Sequence, residues 1–325
     1  MEPLSLAPIP VFRRREYDGA ALDERKLKRG LESGDTIRVA SGSFVARDAW
    51  TALTPLQQHA VRVIEAGERA HGTILVTHWA AAATWSIDHI GSWPTRVDVR
   101  VPQASGGRSS GTFRRRAIGV DVPVVPWGRH FVTSPAQTVA DLAAISSRTT
   151  SIILMDQARW ARRPGGPLAS VEEIACAIEG VRSGRARSRA YEALEASTDL
   201  SDSVRESQSR VLIIGLGFPK PELQRRFILP GGREAYPDFF WEQFNHAGEF
   251  DGIGKYFDST FTRGRTPEEV LVAEKDRGDE LRRLVGRLSR WRTPALKDPR
   301  ILYDILSADG LISKYPRPRA GRIWE

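Results

Sequence analysis

Tyr236-Pro237-Asp238-Phe239-Phe240-Trp241-Glu242-Gln243-Phe244-Asn245-His246-Ala247-Gly248-Glu249-Phe250-Asp251-Gly252 is the stretch whose reading decides the fold of this chain. Tyr236 to Trp241 reads as a strand carrying Asp238. Asn245-His246 reads as a turn, and Gly248 to Gly252 continues as a strand with a Glu-x-Asp pattern. Successive side chains of a strand alternate faces, so Glu249 and Asp251 point to the same side. If the two strands pair as a hairpin, Asp238 lies beside them. Carboxylates held this close repel one another, and they are tolerated chiefly when a cation sits between them. Oxygen ligands in near-octahedral arrangement suit Mg²⁺ or Mn²⁺. Such a metal activates water and neutralises charge on a scissile phosphate.

Working outward, Val204 to Leu216 reads as a helix carrying Glu206. Pro219 to Gln224 leads into a strand over Arg226 to Leu229, and Pro230-Gly231-Gly232 turns the chain. Lys255-Tyr256 follows the acidic pair, and a long helix is expected from Pro267 to Leu284, containing Lys275. The order is helix with Glu, strand, turn, strand with Asp, turn, strand with Glu-x-Asp. This last part resembles the PD-(D/E)XK nuclease superfamily, in particular the very-short-patch-repair endonuclease-like branch. The matching residues are Glu206, Gln224, Asp238, Glu249, Asp251 and Gly252, within roughly residues 200 to 310. The resemblance implies a restriction-endonuclease-like mixed sheet of four strands flanked by helices, and a metal-dependent phosphodiester cut. It implies that Asp238 and Glu249 hold the metal, joined by Glu206, with Asp251 a ligand or an acceptor behind it. The lysine usual two residues after the glutamate is Asp251 here, and the branch's histidine after the glycine is replaced by Lys255. Lys255 and Lys275 are the candidates for the missing positive charge near the attacking water, and Lys255 would stabilise the pentavalent phosphorus. The bland alternatives are a surface Glu206 paired with Arg210 at i, i+4, Asp238 as a cap, Glu249 and Asp251 on a solvated strand edge, and solvated or ion-paired lysines.

The start of the chain has a different character. Residues 20–33 read as a short amphipathic helix with Leu22, Leu27 and Leu31 on one side and Arg25, Lys26, Lys28 and Arg29 elsewhere. Gly34 ends it, and strands Thr36–Ala40 and Ser43–Ala46 follow around Ser41-Gly42. A helix followed by a small hairpin suits a winged helix-turn-helix-like unit, whose helix enters a major groove while the hairpin touches phosphates. Beyond it, residues 55–70, the Ala-rich Trp79 to Trp85 and Pro135 to Ile145 read as helices, the last capped by Ser134. Strands are expected at Ile74–His78, Val97–Val101, Arg114–Ile118 and Val120–Val125, with a Gly/Ser-rich loop over residues 103–111 carrying Arg108. The helix-hairpin start, Thr77-His78 and Val132-Thr133-Ser134-Pro135-Ala136-Gln137-Thr138-Val139-Ala140-Asp141-Leu142 together resemble the abortive-infection type IV antitoxin family. That resemblance implies a DNA-binding N-terminus that represses its own operon, and a toxin partner or neighbouring-gene product as its counterpart. His78 has no partner acid visible in the sequence and reads as a helix-start or core residue.

The architecture expected is therefore α/β multidomain. It comprises a winged-helix-like unit at 1–50, an antitoxin-like α/β domain at 51–165, a helical linker at 166–200, the nuclease-like domain at 201–312 and a tail at 313–325. Arg162 to Pro167 is the best linker. Cys176, the single cysteine, excludes an internal disulfide framework and reads as a small core residue in the helix over 170–180. No apolar run reaches the roughly 18 residues of a membrane span, so no membrane partner is expected, and the chain reads as cytoplasmic. The net charge is +8, and it is local: residues 101–150 carry 6 basic against 2 acidic side chains, and residues 251–300 carry 12 against 9. Arg25, Lys26, Arg29, Arg38 and Arg114-Arg115-Arg116 are the DNA-binding candidates, with the Arg282 to Arg300 stretch read as a basic helical region. Arginine outnumbers lysine 41 to 7, a bias that genome composition alone can produce.

Overall fold

The computed structural model describes residues 2–14, 24–103, 111–252 and 277–319. Lys255, Lys275, Arg108, Leu22 and the side chain of Arg25 lie outside the described residues. The chain is mixed α/β and divides into two compact units, Met1–Ser197 and Thr198–Glu325. The division falls at the polar segment that opens Thr198 to Ser203.

In the first unit, β1 (Phe12–Arg13), β3 (Ser43–Ala46) and β2 (Thr36–Ala40) form a three-stranded antiparallel sheet next to α1 (Glu24–Ser33) in sequence. Gly42 turns the hairpin at φ +70°, a conformation that glycine adopts without Cβ strain. Leu27 is buried but Leu31 is 40% exposed, so the apolar stripe of α1 is narrower than its leucines suggest. Then come α2 (Arg47–Ala52), α3 (Pro55–Arg69), β4 (Leu75–Val76), α4 (His78–Thr84), β5 (Val97–Val101), β6 (Phe113–Ala117), β7 (Val124–Trp127) and β8 (His130–Thr133). These strands form a five-stranded mixed sheet in the order β6-β5-β4-β8-β7. Helices α5 (Pro135–Ala143), α6 (Arg148–Arg159), α7 (Val171–Glu179) and α8 (Gly184–Glu195) complete the unit. Ser134 caps α5 by accepting from the Gln137 N–H at 3.2 Å, as its place before Pro135 suggests.

Helix α6 and strand β8 are absent from the sequence reading. Eight of the twelve residues of α6 and three of the four of β8 are buried, and burial of polar and apolar side chains alike weakens the alternation that marks an element. The segment read as a linker at 166–200 contains α7 and α8, which pack on α5 and α6 within this unit. Cys176 is exposed rather than in the core, because Ile174, Ala177 and Ile178 take the buried face of α7.

The second unit opens with α9 (Val204–Gly215), followed by β9 (Glu222–Leu223), β10 (Phe227–Ile228), β11 (Glu234–Ala235), β12 (Phe239–Trp241), β13 (His246–Phe250) and β14 (Arg287–Trp291). Residues 277–284 are helical, and helices Thr293–Lys297 and Pro299–Ala308 follow β14. Strands β14-β13-β12-β9 form a four-stranded mixed sheet: β13 is antiparallel to β12 and parallel to β14. Arg226 to Leu229 supplies β10, as expected, and among the described residues it pairs with β11, while the sheet neighbour of β12 is the earlier Glu222–Leu223. One expectation is corrected here. The Arg282 to Arg300 stretch is not one helical region; it runs from helix through β14 to two further helices. Alternation decides which side each residue faces. Phe239, Trp241, Phe250 and Trp291 pack with Leu212, Ile213 and Leu216 of α9, while Phe240 and Ala247 pack with Leu281 and Val285 on the other face.

Candidate active site

Register brings the sequence-flagged acids together. Phe239 pairs with Gly248 on β13 and with Leu223 on β9. Continued by one residue, that register sets Asp238 opposite Glu249 and beside Gln224, whose N–H reaches the Asp238 carbonyl at 3.4 Å. Glu249 is itself registered with Arg290 on β14. Directly paired strand residues share a face, so Asp238, Glu249 and Arg290 form one row across β12, β13 and β14, and Gln224, just past β9, joins it through the backbone of Asp238. Asp238 Oδ2 accepts the Phe250 N–H at 2.8 Å, which fixes the carboxylate over the neighbouring strand. Gln224 lies at φ +53°, a left-handed conformation that ends β9. Its amide donates to Glu206 Oε2 at 3.4 Å, linking the helix to the row.

Glu206 is 3% exposed in the first turn of α9. It accepts from the Asp202 N–H at 2.9 Å and from the Ser203 hydroxyl at 2.9 Å, while Ser203 accepts from the Glu206 N–H at 3.2 Å. Ser203 is thus the N-cap of α9 and satisfies one of the open donors of the helix start. The helix N-terminus also favours a carboxylate electrostatically. Glu206 is therefore a buried helix-capping carboxylate that reaches the row through Gln224, rather than a surface glutamate.

Arginines meet the other two acids. Glu249, 7% exposed, accepts from Arg277 at 3.0 Å on Oε1 and from Arg290 at 2.8 Å on Oε2. Asp251 accepts from Arg292 at 2.9 and 2.6 Å. The Arg290 and Arg292 pairings depend on β14 and the strand end that follows it, and the sequence reading missed them. The signal was the alternation Arg290, Arg292 in a segment read as helix.

The donor chemistry of Asp238 and Glu249 fits a hard divalent cation, which is commonly held by one or two carboxylates with waters and substrate phosphate completing the shell. Among the described residues no group of three or more His, Cys, Asp or Glu is gathered for a metal. Each oxygen of Glu249 accepts from a guanidinium, so a cation there would require Arg277 or Arg290 to shift.

No protein-family model matches the chain. Two proteins from two strains of Mycobacterium tuberculosis, both described only as uncharacterized, are similar to it: each is 30% identical over 121 residues, 37% of this chain and 43% of the relative. The chain thus spans less than half the length of the curated relatives it matches.

In the first unit the DNA-binding candidates are placed unevenly. Lys26 and Arg29 are on the exposed side of α1, and Arg38 is exposed on β2, its Nε donating to the Ala40 carbonyl at 3.4 Å. Arg114 and Arg116 point to one side of β6 and converge on Asp98, which is fully buried. Arg114 makes two bonds of 2.6 Å, and Arg116 one of 2.8 Å. Arg115 points to the opposite face, where Arg69, Leu75, Val99, Phe113, Val124 and Phe131 join it around a cavity of about 590 Å³.

His78 acquires the acid that the sequence did not reveal. It is 3% exposed at φ +50°, and its Nδ1 lies 3.1 Å from the Thr77 hydroxyl, which donates to Asp141 at 3.1 Å. Asp141 also accepts from Arg100 at 2.7 Å and from Gln137 at 2.8 Å. Burial lowers the His78 pKa to about 4, with Asp141 opposing, so the ring is neutral at pH 7. Buried His59 is likewise pushed down to about 4, first by desolvation and then by Arg62. No described helix is long and apolar enough to cross a membrane.

Proposed function

We propose that this protein binds DNA and cuts its phosphodiester backbone with Mg²⁺ or Mn²⁺, through Asp238 and Glu249 of the second unit. The observation that carries the reading is the row in which Asp238 faces Glu249 across β12 and β13, between Gln224 and Arg290. Asp238 and Glu249 would hold the cation, with Glu206 and Gln224 positioning the row from α9 and β9. A bound divalent cation there supplies an activated water and charge neutralisation at the phosphate. Arg277 and Arg290 would exchange Glu249 for the scissile phosphate, since a guanidinium forms the same forked contact with either anion. Arg292 and Asp251 would guard the strand end beside it, and Lys255 is the remaining cation of the proposal. A role in phage defence or DNA repair, in the cytoplasm, suits this chemistry.

The test is conversion of supercoiled plasmid to nicked or linear DNA with Mg²⁺ or Mn²⁺. Wild type is expected to cut, and Asp238→Asn or Glu249→Gln to lower the rate by roughly 10–100-fold or more. Equal cutting by all three proteins, or none by wild type, refutes the reading.

One observation favours a second reading. Arg277 and Arg290 already neutralise Glu249, as expected of a nuclease-like unit that has become a non-catalytic part of an antitoxin-like repressor. Wild type that binds its own upstream region in a gel shift, yet never cuts, would select that reading.

A further inference from the structure

The arginines on this protein are not equally available to an anion. Arg114 and Arg116 are held by Asp98, Arg290 by Glu249, Arg292 by Asp251, Arg300 by Asp298 and Arg317 by Asp304. The stretch Arg182-Ser183-Gly184-Arg185-Ala186-Arg187-Ser188-Arg189 is different. It has four arginines and no acid between Glu179 and Glu192. The regional charge count hides it, because residues 151–200 balance as a whole.

In the structure Arg182 precedes α8, and the other three occupy its first two turns. Ala186, Ala190, Ala193 and Leu194 take the buried face. Arg182, Arg185 and Arg189 are exposed and Arg187 is half-buried. Arg187 donates to the Val181 carbonyl at 3.5 Å and Arg189 to the Ala144 carbonyl at 3.1 Å. Among the described residues no carboxylate pairs with any of the four.

The arrangement is locally unfavourable without an anion. Arg185 and Arg189 are like charges at i, i+4, which destabilises a helix by about 0.2–0.5 kcal/mol. Arg185, in the first turn, also sits at the positive end of the helix dipole, where a cation is disfavoured. Ser183 caps the end by accepting the Ala186 N–H at 3.3 Å, so the helix start is formed rather than frayed. A row of phosphates would relieve the charge repulsion and the dipole mismatch together.

We propose that Arg185 and Arg189, which share one flank of α8, together with Arg182 just before it, form a docking surface for the phosphate backbone of duplex DNA. The surface contacts phosphates and reads no bases: its side chains are all guanidinium, and contacts of that kind position a duplex without specifying its sequence. The inference rests on the DNA-binding part of the proposed function, and it is independent of whether the second unit cuts.

The experiment is fluorescence anisotropy of a labelled duplex with the full chain across a salt series. Wild type is compared with Arg185→Gln/Arg189→Gln and with Arg317→Gln, which removes an exposed arginine engaged with Asp304. Thermal unfolding confirms that each variant is folded. The double variant is expected to bind more weakly, with the slope of log K against log salt shallower by about 1.8, or about 0.9 for each phosphate no longer neutralised. The Arg317→Gln slope is expected to match wild type. Binding by wild type with an unchanged slope in the double variant overturns the inference and leaves the DNA-binding reading standing. No binding by wild type overturns the DNA-binding reading itself. An effect of the double variant on duplex RNA but not on DNA overturns the choice of ligand.

Discussion

Acidification from pH 7 toward pH 4 is expected to unfold the first unit well before ordinary carboxylate titration accounts for it. His59 and His78 are both lowered from 6.5 to about 4, chiefly by burial. The unfolded chain takes up these protons near pH 6.5, whereas the folded chain resists until about pH 4. Between those values the unfolded state binds more protons, so stability is full above pH 6.5 and falls as the pH drops. At 1.36 kcal/mol per pKa unit, each histidine withdraws about 3 kcal/mol over the window, and the pair about 6. That is on the scale of the total stability of a domain, about 5–15 kcal/mol. His59 is the cleaner probe: it is fully buried and Arg62 opposes a second positive charge beside it, so protonation places a poorly solvated charge in the core. The assay is urea unfolding at pH 7 and pH 4.5, with hydrogen exchange of α3 and α4 as the readout confined to this unit. His59→Leu should remove close to half of the pH dependence. A variant that loses as much stability as wild type between the two pH values refutes the argument.

Further outcomes follow from the packing. Asp98→Asn removes the charge that holds Arg114 and Arg116 while leaving the side chain's volume, and should cost roughly 3–5 kcal/mol of first-unit stability; a change under 1 kcal/mol in urea unfolding would show that the arginines re-solvate freely. Gly248→Ala places a Cβ 2.8 Å from Trp291 and 3.0 Å from Trp241. Their indoles are held by Ser209 and the Pro219 carbonyl, so the substitution should cost about 1–3 kcal/mol, read as a lower thermal midpoint of the second unit.

Much of the second unit was legible in the sequence because its information is local. Asp238 and Glu249 sit on either side of a turn, so strand alternation and one hairpin suffice to bring them together. Helix α9 was legible over Val204 to Leu216 as one continuous segment carrying Glu206. What stayed hidden was nonlocal. Arg290 reaches Glu249 through a parallel pairing with a strand 41 residues on, and no local periodicity carries that partner. His78 and Asp141 stand 63 residues apart and meet through Thr77, which is why the histidine looked acidless. Strand β9 has two residues, too few for a pattern, so the more apolar Arg226 to Leu229 drew the assignment. Arginine runs mislead in the same way: Arg114 and Arg116 look like a patch until Asp98 is placed between them.

The parallel pairing of β13 with β14 also sets an order in time. A chain emerging from the ribosome at about 5–20 residues per second presents Glu249 roughly 2–8 seconds before Arg290, given the 41 residues between them. During that interval the Asp238–Glu249 hairpin has neither its last strand nor the guanidinium that strand delivers. The nascent protein therefore passes through a stage in which two carboxylates face one another without Arg290, and the finished protein does not revisit it while β14 stays paired.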